Sequence, residues 1–482
     1  MLSFAPISCS CHEHFPRKRA RRIGATCVEN AGTPITITIV VAKGEDGMSH
    51  IMDAAKASSL EFEERTYGKV ARRLVPFLFL CYFAAYLDRV NVGFAKLQML
   101  DDLSFSNTVY GLGAGIFFLG YVLFEVPSNI ILHRVGARVW IARIMISWGV
   151  IAAGIIFVKT PTQFYVLRFL LGVAEAGFIP GVLLYLTYWF PASRRGRIVA
   201  MFLAAIPMSS IIGGPLSGWI LHSFSDAGGL RGWQWLFLIE TIPSLILGVV
   251  TLFYLDDRVS SARWLSAEEK RIVSENVAAE AKGKEGCSSL ADAFRSGRVW
   301  LLGLAYFCFA NAIYVISFWL PTLIRQKGVA DPLEIGLLTA IPYTVAIVAM
   351  IYVSAHADKQ GERRWHTVIP CFLTGVGLML SAVPTENLVL AMLALTLATA
   401  AASTAQAAFW SLPSAFLGGA AAAAGIALVN SMGNIAGFVS SWLVGRMTDL
   451  TGSSGSSLYL FGALMFLGGA MILTIPARLV NK

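Results

Sequence analysis

The sequence predicts an all-α integral membrane protein, with twelve transmembrane helices arranged as two pseudo-symmetric six-helix bundles. Three observations predict it. Apolar residues make up 56% of the 482-residue chain and charged residues only 14%, against about 45–50% and about 25% in soluble domains. Apolar runs of spanning length follow one another in a pattern of six, a break, and six. Motifs of the first half return in the second. So few charges leave too little polar surface to coat several water-soluble cores, which excludes a soluble multidomain enzyme. A spanning helix uses about 20 apolar residues, so twelve use about 240, roughly half of the chain.

Residues 1–65 read as an N-terminal tail without fixed structure. They contain the basic run Arg17-Lys18-Arg19-Ala20-Arg21-Arg22 and an apolar stretch, Ile35–Val41, too short to span. No charged, apolar and cleavage regions follow in the order of a signal peptide. Translation is expected to start at Met48 or Met52, which makes residues 1–47 an extension. Cys9, Cys11, His12 and His14 imitate a metal cluster. No second ligand pair accompanies them, so no metal is expected. Cys81, Cys308 and Cys371 lie inside apolar runs and read as small buried hydrophobes.

The first bundle is assigned to residues 66–256, with spans at 74–94, 109–132, 140–158, 164–187, 198–221 and 234–255. Residues 257–298 form a polar linker. Within it, Ser266 and Glu269 make a capping box that opens a short helix. Ser289 and Asp292 are placed to cap another. The second bundle is assigned to 299–482, with spans at 299–322, 335–355, 367–383, 388–411, 422–445 and 457–478.

The net charge is +9. The basic residues mostly flank apolar runs, as in Lys69, Arg72 and Arg73, in Arg134 and Arg138, in Arg194, Arg195 and Arg197, and in Lys359, Arg363 and Arg364. That is the footprint of cytoplasmic loops, and an even number of spans then leaves both termini in the cytoplasm. The opposite side carries only scattered cations, among them Lys96, Arg325 and Arg446. No basic stripe interleaved with aromatics exists outside the apolar runs, so nucleic acid is not an expected partner.

The halves echo each other. His133-Arg134-Val135-Gly136-Ala137-Arg138-Val139-Trp140 follows span two, and Asp358-Lys359-Gln360-Gly361-Glu362-Arg363-Arg364-Trp365 follows span eight. Gly214-Pro215-Leu216-Ser217-Gly218-Trp219 in span five is matched by Gly437-Phe438-Val439-Ser440-Ser441-Trp442 in span eleven. Duplicated halves related by an axis along the membrane normal imply a transporter with its site at mid-depth between them.

The loop with a basic residue, then Gly136 and Arg138, repeated around Gly361 and Arg363, resembles the signature loop of the major facilitator superfamily. The block from Arg168 through Gly172, Glu175 and Gly177 to Pro180-Gly181, ending Tyr188-Trp189-Phe190-Pro191, is more specific. Together with Tyr86-Leu87-Asp88-Arg89-Val90-Asn91, it resembles the anion:cation symporter family, and within it the bacterial carriers of tartrate, phthalate and similar carboxylates. The resemblance runs from about Tyr67 to span twelve and includes Trp319-Leu320-Pro321 and Gly425–Ser431. It implies the fold of that superfamily and the carriage of organic anions, in bacteria usually with protons. His133 is a departure, because the superfamily loop usually has an acid there; the second half keeps one at Asp358. The resemblance makes Arg134, Gly136, Arg138, Asp358, Gly361 and Arg363 gating-loop residues.

Charges inside spans cost about 2.5–3.5 kcal/mol each on insertion scales. Here they concentrate in the first half, as Asp88, Arg89, Glu125, Arg168, Glu175 and Glu240. Arg168 and Glu175 are seven apart, hence on one helical face, about 10 Å apart along the axis. Asp88 and Arg89 are adjacent, so they point about 100° apart and need different partners. The economical arrangement pairs Asp88 with Arg168 and Arg89 with Glu175 when substrate is absent. A carboxylate then competes for the guanidinium, whose fork binds it bidentately. The resemblance implies Arg89 as the anion contact, Asp88 and Glu175 as protonation sites, and Arg168 as their charge partner. The rival reading is a purely structural salt-bridge network.

Tyr86 and Tyr121 resemble family positions near the substrate. Trp410, Asn430 and Asn434 are the amphipathic or polar candidates of the second half, where neutral amides suit substrate hydroxyls. Helix–helix hydrogen bonding is the rival reading for both asparagines, and is favoured for Asn434. Glu125 reads as a structural or gating acid, and Glu240 in span six as a structural one.

The expected activity is proton-coupled import of a small organic anion, tartrate-like, by alternating access. The protein is read as a monomer in the bacterial inner membrane, with the bilayer, the anion and protons as partners and no cofactor. An anion exchanger and a non-transporting receptor are the alternatives. No span-embedded catalytic set is visible.

Overall fold

A computed structural model describes residues 22–28, 34–40, 45–282, 295–385, 387–413 and 419–481. The chain divides into two compact units, Met1–Val70 and Ala71–Lys482. In the first, strands Arg22–Val28 and Pro34–Val40 pair antiparallel, with Arg22 opposite Val40. A helix begins at Glu45 and continues to Leu103. Regular structure therefore occurs where an unstructured tail through residue 65 is expected. Alternating Thr and Ile in Ile35–Val40 give a local strand preference that composition alone does not reveal. The Cys9, Cys11, His12 and His14 group lies outside the described residues, as do Ser289 and Asp292.

Among the described residues, twelve helices are long and apolar enough to cross a membrane. Spans one to six are Leu60–Leu103, Asn107–Val135, Ala137–Phe157, Pro161–Thr187, Ser193–Ser223 and Gly232–Tyr254. Spans seven to twelve are Gly297–Arg325, Pro332–Gln360, Arg364–Ala382, Leu388–Phe409, Gly425–Thr451 and Gly455–Leu473. The helices outrun the apolar cores read from sequence, because helical hydrogen bonding continues into amphipathic flanks. Two consequences matter. Lys96 lies within span one rather than in a loop, and Arg446 lies within span eleven.

Between the sixth and seventh spans, a helix at Ala267–Lys282 opens with the expected box. Ser266 N donates to Glu269 Oε2 at 2.7 Å, and Glu269 N donates to Ser266 Oγ at 3.2 Å. Cys81, Cys308 and Cys371 are buried free thiols.

The two halves meet along two seams. Span two packs on span eleven, and span five packs on span eight. Glycines bring the backbones together. A Cβ on Gly115 would sit 2.8 Å from Phe438 O, and one on Gly214 would sit 3.0 Å from Gly336 O. Gly111 faces Ser441 O, Gly445 faces Asn107 O and Gly218 faces Pro332 O, all too close for any side chain. With lipid as apolar as Leu, close van der Waals packing of small residues is what holds such helices together.

These contacts concentrate toward the end of the bundle where Ser104–Ser106 joins spans one and two, here called the Ser104 end. Hydrogen bonds reinforce that end. Asp449 accepts from Asn107 N at 3.1 Å, Thr108 N at 2.7 Å and Thr108 Oγ1 at 2.5 Å. His222 and Asp331 lie 2.8 Å apart across spans five and eight. Arg325 of span seven donates to Leu97 O and lies 3.6 Å from Asp101. The opposite end, near Gly136, carries the basic loops.

Candidate functional site

Span four is interrupted at mid-depth. Its first helix stops at Glu175, and Gly177 has φ +87, a left-handed conformation that L side chains rarely adopt. A second helix resumes at Phe178. A broken helix inside a membrane protein is tolerated where protein or a cavity satisfies the backbone. Here Ala176 N bonds Gly172 O and Gly181 N bonds Gly177 O. The break leaves Glu175 at a helix end, aimed at span one.

There it meets Arg89, which donates a charge-assisted hydrogen bond to Glu175 Oε1. Arg89 is 6% exposed and Glu175 is 4%. The guanidinium lies among aromatic rings: Phe117 at 5.3 Å, Tyr121 at 5.5 Å and Tyr86 at 5.9 Å from its carbon. Rings at this distance stabilise a cation through their negative faces while excluding water. Arg89 Nε keeps no protein partner. Half of the expected pairing is thus present.

The other half is corrected. Asp88 does not meet Arg168. It accepts hydrogen bonds from Trp148 Nε1 at 3.0 Å and from Ser244 Oγ, while Oδ1 stays unpartnered. Arg168, wholly buried, donates to Gly113 O at 3.2 Å and to Ala114 O at 3.5 Å, and stands 5.2 Å from Phe117. Residue spacing fixes the face of a helix but not its depth against a neighbour, so the partner of Asp88 was not readable from spacing. Trp148 and Ser244 carry no signal either, since Trp and Ser are ordinary residues of spans.

In the second half, Trp410 stacks edge-on against Tyr306 at 4.9 Å, and Gln406 donates to the Tyr306 hydroxyl at 3.3 Å. Tyr306 and Gln406 are additions to the sequence-based set. Asn430 is turned toward the first half, and its Nδ2 donates to Glu125 Oε1 at 3.2 Å. Asn434 accepts from the Tyr314 hydroxyl at 3.3 Å, a bond between helices of the same half. Glu240 accepts from Ser217 Oγ at 2.6 Å between spans five and six. At mid-depth, charge therefore lies on one side of the interface and neutral polar groups on the other.

Residues 78–441 match the model of the Major Facilitator Superfamily. The chain belongs to the major facilitator superfamily. It is 51% identical over 417 residues to the metabolite transport protein NicT of Pseudomonas putida, a provisional name, covering 86% of this chain and 95% of the relative. A protein of Agrobacterium vitis provisionally named a tartrate transporter is 48% identical, again over 86% of this chain and 95% of the relative. Among solved structures, a D-xylose–proton symporter superposes with a TM-score of 0.68 at 18% identity, covering 86% of this chain and 99% of that one, a likeness of fold. These findings bear out the resemblance read from the motifs. The superfamily and the relatives are transporters, not enzymes. This chain is a multi-pass membrane transporter of small organic substrates.

The loops after spans two and eight are each turned by a glycine with positive φ. Gly136 has φ +100 and leaves room for Asp257, whose Oδ1 accepts from Arg138 N at 2.8 Å. Arg138 Nε lies 3.8 Å from Asp257 Oδ2. Asp257, just past span six, supplies an acid to the loop in which His133 stands at the usual acid position. Arg134 and Asp358 are exposed.

In the second-half loop, Gly361 has φ +64 and ends span eight. Arg363 N and Arg364 N donate to Asn481 Oδ1. Glu362 receives Trp365 N, His366 and Asn481. Burial alone would raise its pKa, but these hydrogen bonds more than offset that and hold it below the ordinary value. Their contribution is present above the ordinary carboxylate range and fades as pH falls through the lowered value.

Proposed function

We propose that the protein is a proton-coupled symporter that imports a small organic carboxylate by alternating access. The observation that carries this reading is the Arg89–Glu175 pair, buried at the break in span four and walled by Phe117, Tyr121 and Tyr86. A carboxylate that binds Arg89 must displace Glu175, and a displaced buried carboxylate is costly unless it takes a proton. Anion binding and protonation are then one event. Asp88 is a second acid one residue away, held by neutral donors. Gln406, Tyr306, Trp410 and Asn430 offer a neutral wall suited to hydroxyl groups and a distal carboxyl.

The basic loops at the Gly136 end support a cytoplasmic assignment for that end and for both termini. The Ser104 end then faces outward and is closed here. A bacterial inner membrane fits the Pseudomonas and Agrobacterium relatives, and the name given to the Agrobacterium protein favours a tartrate-like dicarboxylate.

The test is a panel of labelled carboxylates offered to proteoliposomes with an imposed pH gradient. The expected result is uptake of tartrate-class dicarboxylates that is driven by external acid and collapsed by a protonophore. Uptake that ignores the gradient and requires a counter-substrate inside would replace this reading with an anion exchanger.

A further inference from the structure

Lys96 is the most unusual cation of the bundle outside the Arg89 network. It is 4% exposed, and no hydrogen-bond acceptor reaches its Nζ. The ammonium sits 3.4 Å from the Trp319 ring centroid and 4.9 Å from that of Tyr110. The nearby acids are committed elsewhere. Asp449 is occupied by Asn107 and Thr108, and Asp101 lies against Arg325. Burying an ammonium without acceptors is costly, and two ring faces offset only part of that cost. A methionine would fill the same space with no such penalty, so packing alone does not account for the charge.

Position supplies the account. Lys96 follows Arg89 by seven residues, so the two share a face of span one, about 10 Å apart along the axis. Lys96 is the one nearer the Ser104 end. Lys96 and Tyr110 belong to the first half and Trp319 to the second. The seam between them is held by the Tyr110 hydroxyl, which donates to Phe318 O at 3.0 Å, and by Gly93, whose Cβ position lies 3.0 Å from Phe318 O. Parting the halves at that end would carry Trp319 off the ammonium and leave it facing the opening, two turns outside Arg89.

We propose that Lys96 is an outer binding station for the substrate carboxylate, covered by Trp319 and Tyr110 in the closed conformation. The proposal rests on the carboxylate-import reading above. A lysine suits such a station. Its compact charge and three rotatable donors attract a carboxylate without fixing its orientation, whereas the arginine fork within fixes both oxygens. The anion is gathered at Lys96, passes to Arg89, and the aromatic lid closes behind it.

The experiment compares wild type, Lys96→Met, Lys96→Arg and Trp319→Leu in proteoliposomes, with labelled tartrate offered separately to each face. Expected for Lys96→Met is an external KM raised about tenfold, as for one lost charge-assisted contact. Its maximal rate of uptake should change little, its KM from the cytoplasmic face should be unchanged while the maximal rate of efflux falls in proportion, as detailed balance requires, and the salt dependence of uptake should weaken. Lys96→Arg should restore the external KM, and Trp319→Leu, which uncovers the charge without removing it, should not raise it. An unchanged external KM in Lys96→Met, with wild-type uptake intact, overturns the outer station while leaving the import reading standing. So does an equal change at both faces reproduced by Trp319→Leu, the pattern of a mere latch. Absence of carboxylate flux in wild type overturns both.

Discussion

At the scale of single residues, Glu175 supplies the buried guanidinium of Arg89 with its charge partner, and a substrate has to replace it. Removing one partner of a buried pair leaves an uncompensated charge, which typically costs about 3–5 kcal/mol. A substrate carboxylate avoids that penalty by taking the place of Glu175 Oε1 on the guanidinium, whose fork can then hold both of its oxygens. Arg89→Lys keeps the charge but loses the planar fork, so KM should rise about tenfold or more, read from initial rates of uptake. Retained affinity in Arg89→Lys would speak against bidentate binding. Asp88, Arg89, Arg168 and Glu175 were legible in the sequence because a charge in an apolar run is conspicuous. Their partners were less so. Asp88 is held by Trp148 and Ser244, which nothing in a span singles out, and Lys96 lay just past an apolar run and looked like a loop residue.

At the scale of elements, the closed Ser104 end is a product of glycine placement. Gly111 against Ser441 O and Gly445 against Asn107 O let spans two and eleven meet backbone to backbone. Each contact crosses between halves, so filling it should strain the closed state and spare each bundle. Overpacking typically costs about 1–3 kcal/mol, which corresponds to a shift of about 5–150-fold toward the open state. Spin labels at Ser104 and Ser453, in a background without native cysteines, should report a longer distance in Gly111→Val than in its parent. An unchanged distance distribution would mean that this seam does not hold the end shut. The capping box at Ser266 was readable from sequence, because it obeys a local rule. The acid that Asp257 brings to the Gly136 loop was not, since it comes from the far side of four further spans.

At the scale of the molecule, the hydrophobic pattern carried most of the fold, because lipid demands long apolar helices. The asymmetry of charge carried most of the site. At mid-depth, the acids and arginines Asp88, Arg89, Arg168 and Glu175 lie in the first half, and the neutral Gln406, Tyr306 and Asn430 in the second. Two acids also fit the energetics of import. Moving one charge across the membrane is worth about 2.3 kcal/mol per 100 mV, so a dianion taken up with one proton works against an inside-negative potential. Two protons would make the step electroneutral, and in the proposed mechanism Asp88 and Glu175 are the two places for them. The central claim is that carboxylate and protons enter together through the Arg89–Glu175 exchange. It is tested most directly by a pH dye trapped inside proteoliposomes while tartrate is added outside at equal pH. The lumen should acidify with wild type, by two protons per dianion, and stay flat with Glu175→Gln, although that variant still exchanges labelled for unlabelled substrate. Carboxylate entry without acidification in wild type, or wild-type acidification in Glu175→Gln, would contradict it.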